Sequence, residues 1–236
     1  MHPPIQAITI DLDDTLWPVW PTIAHAEERL RDWLQVHAPA ALPSAQDRAQ
    51  QRRWREQVHA QHPERLHDLG FLRTEQIRLM LAHVGAPTAL AEAAFEVFLA
   101  ARQQVRLFDD VAPAMAQLAA RYPVVALSNG NADVLRVGIG HWFRDALSAH
   151  QVGVAKPHRR MFELAAERAG VPMHAVLHIG DDIELDVRAA QAHGMRAVWV
   201  NRGEQVWPQD LPAPDLQVRD LGAVCDWLQA QDEARG

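Results

Sequence analysis

The distribution of apolar positions divides the chain into three stretches. Residues 5–10 form an apolar run that predicts a short strand ending at Asp11. Between Pro18 and Val105 the spacing is helical throughout. Helices are expected over residues 27–36, 46–60, 74–84 and 88–105, with no strand between them. In the last of these, Leu90, Ala94, Val97, Ala101 and Val105 recur at intervals of three and four, which marks one face of a helix. Pro39, Pro43, Pro63, Pro87, Gly70 and Gly85 punctuate these segments. Beyond Asp110 the pattern alternates. Helical spacing at 111–121 precedes an apolar run at 124–127, a short helix near 133–137 precedes a candidate strand at 146–150, and a helix at 159–169 stops at Gly170. A strand at 176–179, a helix at 183–193, a strand at 197–200 and a closing helix at 221–229 complete the pattern.

Short apolar runs alternating with helices predict a parallel sheet covered on both faces. The first strand is separated from the others by the helical stretch. The expected architecture is therefore α/β: a doubly wound parallel core, residues 1–16 and 106–236, with an all-helical domain, residues 17–105, inserted after the first strand. In such sheets ligands sit beyond the carboxyl ends of the strands, where the strand order reverses.

Composition narrows the function classes. With 23 basic against 30 acidic side chains the formal net charge is -7, which disfavours a nucleic-acid partner. No apolar run approaches the roughly 20 residues needed to span a bilayer, so no membrane partner is expected. The N-terminus lacks a basic segment followed by an apolar one, and the single cysteine, Cys225, allows no intramolecular disulfide; a cytoplasmic location is expected. Cys225 reads as a small packed thiol.

Four polar clusters follow predicted strands. Asp11-Leu12-Asp13-Asp14-Thr15 follows the first. A carboxylate can attack phosphorus, and a second can act as general acid and then as general base; the same residues also suit a helix N-cap or a solvated turn. Ser128-Asn129-Gly130-Asn131 follows 124–127, where a hydroxyl and backbone N–H groups can bind phosphoryl oxygens, although the sequence also makes an ordinary turn. Lys156 is the only lysine in the chain. Buried, it would neutralise a carboxylate and a phosphoryl group; on the surface it would do neither. Gly180-Asp181-Asp182-Ile183-Glu184-Leu185-Asp186 follows 176–179. Its carboxylates suit Mg²⁺, and equally suit a helix N-terminus. All four clusters occur in order, each at or near the end of a predicted strand or in the loop that should follow one.

In these motifs the chain resembles the haloacid dehalogenase-like hydrolase superfamily over about residues 5–16 and 108–205. The resemblance implies a Rossmann-like core, a helical cap after the first motif, and a Mg²⁺-dependent phosphatase working through an aspartyl phosphate. It makes Asp11 the nucleophile and a metal ligand. Asp13 becomes the general acid/base and offers its backbone carbonyl to the metal. Ser128 and the N–H groups at Asn129 bind the phosphoryl group, Lys156 stabilises charge, Asp181 binds metal, and Asp182 and Asp186 support the site. Within the family, dehalogenases lack the acid/base aspartate at the position of Asp13, so Asp13 favours the phosphatase branch. His158 departs from the small polar or acidic residue common after Lys-Pro. The stretch running on to Gly194-Met195-Arg196-Ala197-Val198-Trp199 is similar to a bacterial branch acting on flavin mononucleotide and on the phosphorylated ribitylaminouracil precursor of riboflavin. A small phosphorylated metabolite is the implied partner, and the protein is expected to be a monomer or weak homodimer. A phosphotransferase such as a sugar phosphomutase, and a catalytically silent binding protein on the same fold, are the alternatives.

Outside the motifs, Trp17 and Trp20 can stack on an aromatic substrate, with at least one read as packing. Arg52, Arg53 and Arg55 around Trp54 read as a solvated helix face. His59, His62 and His67 fit no zinc spacing, and His174 and His178 read as packing.

Overall fold

In the computed structural model, which describes residues 3–234, the chain opens with β1 (Ala7–Ile10), whose four residues are all buried. It then runs through α1 (Val19–His37), α2 (Leu42–Gln46), α3 (Arg48–Gln61), α4 (Leu69–His83) and α5 (Ala91–Arg102). These helices, with residues 131–133, form one compact unit. Asp47 caps α3 by accepting from the amides of Ala49 and Gln50, and Asp68 caps α4 through the amide of Phe71. Gln103 closes the unit: its carboxamide accepts from the Asp133 amide (2.7 Å) and donates to the Asn131 carbonyl (3.2 Å). The core of this unit joins Ala26, Leu30 and Leu34 of α1 to Ala94, Phe98 and Ala101 of α5.

The stripe that α5 buries differs from the expected one. Ala91, Ala94, Phe98 and Ala101 face inward, whereas Leu90 and Val97 are only half-buried and Val105 lies beyond the helix. Alanines lie close against α1 because their side chains are small, and Phe98 then fills the remaining space.

Residues 3–18, 106–130 and 134–234 form the second unit. After α6 (Val111–Arg121) come β2 (Val124–Ser128), α7 (Val134–Val137), β3 (Asp145–Ser148), α8 (Ala149–Val152) and α9 (Arg159–Ala169). Next are β4 (Val176–Gly180), a π-helical turn over Ile183–Arg188 continued by α10 (Ala189–Ala192), β5 (Arg196–Val200), β6 (Leu216–Val218) and α11 (Leu221–Glu233). The six strands form one parallel sheet in the order β3-β2-β1-β4-β5-β6. β2, β4 and β5 are buried along their whole length, which is why they read as continuous apolar runs rather than alternating ones. Gly170 and Gly194 end their helices at φ 80° and 84°, a left-handed conformation that costs glycine little.

β6 has no counterpart in the sequence pattern: at three residues, only Val218 of them buried, it is too short to carry a period. No helix among the described residues is long and apolar enough to cross a membrane.

The topology fixes where chemistry can occur. β1 is central, with β2 and then β3 on one side and β4 to β6 on the other. The order therefore reverses between β1 and β4. Their carboxyl ends lead into Asp11 and Asp181, and the amide of Asp11 bonds the Ile179 carbonyl at 2.9 Å.

Candidate active site

Lys156 is the centre of the polar cluster at these strand ends. It is 4% exposed, and its Nζ donates to Asp11 Oδ1 at 2.6 Å and to Asp186 Oδ1 at 2.5 Å. Burial alone would discharge the ammonium, but the two carboxylates outweigh it and hold Lys156 above its ordinary value. The backbone of Lys156 is fixed as firmly. Its amide donates to Asn129 Oδ1 (2.7 Å) and its carbonyl accepts from Asn129 Nδ2 (3.0 Å). The Asn129 side chain thus clamps the lysine loop. This second use is invisible in the sequence, because a carboxamide pairing with a distant backbone leaves no spacing signal.

Both oxygens of Asp186 are engaged. Its Oδ1 takes Lys156 and the Nε2 of His178 (3.1 Å), and its Oδ2 accepts from the amide of Asp182 (3.1 Å). Although burial opposes its charge, Lys156 and His178 hold its carboxyl well below the usual range. Two local features seat it. Asp182 caps the π-turn, accepting from Glu184 and Leu185 at 2.8 and 2.7 Å. Gly180 has no side chain, and a Cβ there would overlap the Asp186 carboxyl. The glycine of Gly180-Asp181-Asp182 is therefore a steric requirement of Asp186.

Asp181 accepts from Thr15 Oγ1 (3.1 Å), and its own carbonyl accepts from Trp199 Nε1 (2.8 Å). Burial and the neighbouring Asp186 push its carboxyl up to about 7, against the Thr15 hydrogen bond. Asp11 is also raised well above the ordinary value: burial outweighs Lys156, and Asp186 and Asp181 add repulsion. Carboxylate oxygens of Asp11, Asp181 and Asp186 lie within 4.8 Å of one another. Three buried or half-buried carboxylates thus face one ammonium. With Asp186 committed to Lys156 and His178, the oxygens of Asp11 and Asp181 remain as an all-oxygen donor pair short of positive charge. This donor set fits a hard divalent cation such as Mg²⁺.

Asp13 is half-buried, and its Oδ1 accepts from Trp17 Nε1 at 2.8 Å. Trp17 is fully buried, so its indole anchors Asp13 and offers no face for stacking; Trp20, by contrast, is 76% exposed. Asp14 takes a left-handed φ of 56°, and its amide bonds the Trp17 carbonyl at 2.8 Å, turning the loop back on itself. Arg202 braces that loop: its Nε donates to the Thr15 carbonyl (2.9 Å), and its guanidinium makes a bidentate pair with Asp110 (2.8 and 3.0 Å). Ser128 is buried at the end of β2, where its Oγ accepts from the Gly130 amide (2.9 Å) and keeps its O–H free to donate.

The structure thus brings Asp11, Lys156, Asp181 and Asp186 into one cluster, and bonds Asn129 and Asp182 to it. His178 belongs there too, beyond the packing role expected of it. Fully buried, it links Thr9 Oγ1 (2.8 Å) to Asp186. A histidine inside an apolar run reads as packing unless its partner, eight residues on, is known to fold back. The other expectations fall elsewhere. His158 caps α9 through the Arg160 amide, Arg52, Arg53 and Arg55 are exposed around a buried Trp54, and His174 is exposed. Cys225 is buried, its thiol facing the Ala114 carbonyl.

Comparison with known proteins agrees with the geometry. The model of the haloacid dehalogenase-like hydrolases matches residues 5–194. The chain is 35% identical to 5-amino-6-(5-phospho-D-ribitylamino)uracil phosphatase YigB of Escherichia coli (strain K12), over 93% of this chain and 94% of that one. It is 28% identical to a glyceraldehyde 3-phosphate phosphatase of Methanopyrus kandleri, over 92% of each. Among solved structures it is similar to 2-haloacid dehalogenase from Pseudomonas syringae pv. Tomato DC3000, with a TM-score of 0.89 and 35% identity over 96% of this chain and 99% of that one. The motif order, the sheet order, the lysine between two aspartates and the family match agree: the chain belongs to the haloacid dehalogenase-like hydrolases.

Proposed function

We propose that this protein is a Mg²⁺-dependent phosphatase that hydrolyses a small phosphate monoester through a phosphoryl group carried on Asp11. The observation that carries this reading is the buried Lys156 ammonium bridging Asp11 and Asp186, with Asp13 two residues from the nucleophile. Residues 1–16 and 106–236 act as the catalytic core and residues 17–105 as the inserted cap.

Lys156 holds one oxygen of Asp11, and the other attacks phosphorus in line. The P–O bond to the leaving group breaks as the bond to Asp11 forms. Asp13, its Oδ1 anchored by Trp17, gives a proton from its carboxyl group to the departing alcohol. It then takes a proton from the water that attacks the acyl phosphate, releasing inorganic phosphate and restoring Asp11. Ser128 Oγ–H and the N–H groups at Asn129 donate to the equatorial phosphoryl oxygens, and Lys156 balances their charge. Mg²⁺, held by Asp11, Asp181 and the backbone carbonyl of Asp13, would supply Lewis-acid neutralisation of the phosphoryl oxygens. Asp182 and Asp186 support the site through the π-turn and Lys156.

The similarity to YigB along nearly the whole chain supports a riboflavin-precursor phosphate or flavin mononucleotide as substrate. The similarity to a dehalogenase structure favours a second reading, carbon–halogen hydrolysis at Asp11. Asp13 argues against it, since a departing halide needs no proton. The test is phosphate release, with and without Mg²⁺, from flavin mononucleotide, sugar phosphates, phosphoglycolate and nucleoside monophosphates, with 2-chloropropionate as the dehalogenase control. Metal-dependent release of phosphate supports the proposal. Halide release without phosphate release refutes it, and an isomerised sugar phosphate in place of free phosphate moves the assignment to a phosphomutase.

A further inference from the structure

We infer that His178 is a positioning residue of this site: through its Nε2–H it fixes the Asp186 carboxylate that aims the Lys156 ammonium at Asp11. The inference rests on the assignment of Lys156 and Asp11 in the proposed reaction, and extends it to a strand residue outside the four motifs.

The geometry fixes the direction of each hydrogen bond. Asp186 is an acceptor-only carboxylate, so the Nε2 that faces it at 3.1 Å carries the proton. Nδ1 is then the acceptor and takes the hydroxyl proton of Thr9 at 2.8 Å. Burial holds the imidazole below its ordinary value, so the ring is neutral in this tautomer. Phe162 packs edge-on against it at 5.3 Å and sets the ring plane. Thr9 and His178 are paired residues on neighbouring strands β1 and β4, so the sheet register itself delivers the hydroxyl to the ring.

The consequence falls on Lys156. Its Nζ has two carboxylate partners, and the position of Asp186 determines how the ammonium approaches Asp11. His178 holds one oxygen of Asp186 and the Asp182 amide holds the other. Without His178, Oδ1 keeps only the lysine, and the carboxylate can turn toward Asp181, where it would compete for a cation. The chain Thr9–His178–Asp186–Lys156–Asp11 therefore runs from the sheet interior to the nucleophile. It resembles the outer-shell partners that orient metal ligands, whose loss costs roughly ten- to a hundredfold in activity or affinity.

Because Lys156 is the chain's only lysine, ¹⁵N-lysine labelling gives a single side-chain ammonium signal that needs no turnover to read. In the native protein that signal should be sharp and slow to exchange with water. His178→Asn keeps a polar partner for Thr9 but does not reach Asp186. It should broaden or shift the lysine signal and lower kcat by roughly ten- to a hundredfold, with KM nearly unchanged. His178→Gln, which carries an N–H at the Nε2 position, should restore both. A folded His178→Asn protein with native kcat and a native lysine signal would overturn the inference. So would an Nδ1–H tautomer in the ¹⁵N spectrum of the native imidazole, a measurement that requires no variant to fold. If the native protein releases no phosphate from any ester, the phosphatase reading fails, while the lysine signal and the tautomer still decide the role of His178.

Discussion

Replacing Lys156 by methionine removes one charge from the centre of the buried cluster and leaves the volume nearly intact. The side chains of Lys156 and Asp186 are each 2% exposed and that of Asp11 10%, so water cannot take over the role of the ammonium. Removing one partner of a buried ion pair costs about 3–5 kcal/mol, because the other charge is left uncompensated. Two carboxylates lose their partner here, and Asp181 already repels them. For a chain of this size each kcal/mol lowers Tm by roughly 2–4 °C, so the metal-free variant at pH 8 should melt about 6–20 °C below the native protein. The pH dependence carries a sign. In the native protein Lys156 depresses Asp186, which contributes stability above the ordinary carboxylate range and loses it as pH falls through the folded value. In the variant both carboxylates lose that partner: Asp186 rises above its unfolded value, and Asp11, already raised in the native protein, rises further. Such groups destabilise increasingly as pH rises, so the gap to the native protein should shrink between pH 8 and pH 5. Adding Asp186→Asn should recover part of the loss, since it deletes one uncompensated charge. Thermal melts of the three proteins at pH 8 and pH 5 in chelator make the test. A Lys156→Met protein melting within about 2 °C of native at pH 8, less than 1 kcal/mol, would mean that the ammonium does not balance the cluster.

Four further outcomes are expected. Asp11→Asn should cut phosphate release by about a thousandfold or more while leaving the circular dichroism spectrum native; appreciable turnover would remove Asp11 as nucleophile. Asp13→Asn should lower kcat/KM by roughly a hundred- to ten-thousandfold on an alkyl phosphate and far less on p-nitrophenyl phosphate, whose leaving group needs no proton, and equal losses would contradict the general-acid role. Gly180→Ala should destabilise by about 1–3 kcal/mol in urea titrations and lower kcat, because its Cβ overlaps the carboxyl of Asp186. Asp181, held near 7, binds a cation better once its proton is gone, so Mg²⁺ should raise Tm more at pH 8 than at pH 5.5, and a pH-independent shift would place the ion elsewhere.

The sequence by itself determined the fold class and the family. Strands buried on both faces must be apolar along their length, and helices must be apolar on one side, so β1, β2, β4, β5 and the long helices wrote their own periods. Asp11, Asp13, Ser128 and Asp181 stood out because they follow those runs at strand ends, where a parallel sheet presents its ligands, and Lys156 stood out as the only lysine. The tertiary structure decided what periodicity does not encode. β6 was too short to register, and α5 buries Ala91, Ala94, Phe98 and Ala101 because α1, not its own spacing, selects the inward face. Trp17 became the anchor of Asp13 rather than a stacking surface, and Asn129 the clamp of Lys156. His178 left the ranks of packing residues only when β1 brought Thr9 beside it and the π-turn folded Asp186 back over Gly180. These roles depend on partners four to 169 residues away in sequence, and a side-chain hydrogen bond has no period to detect.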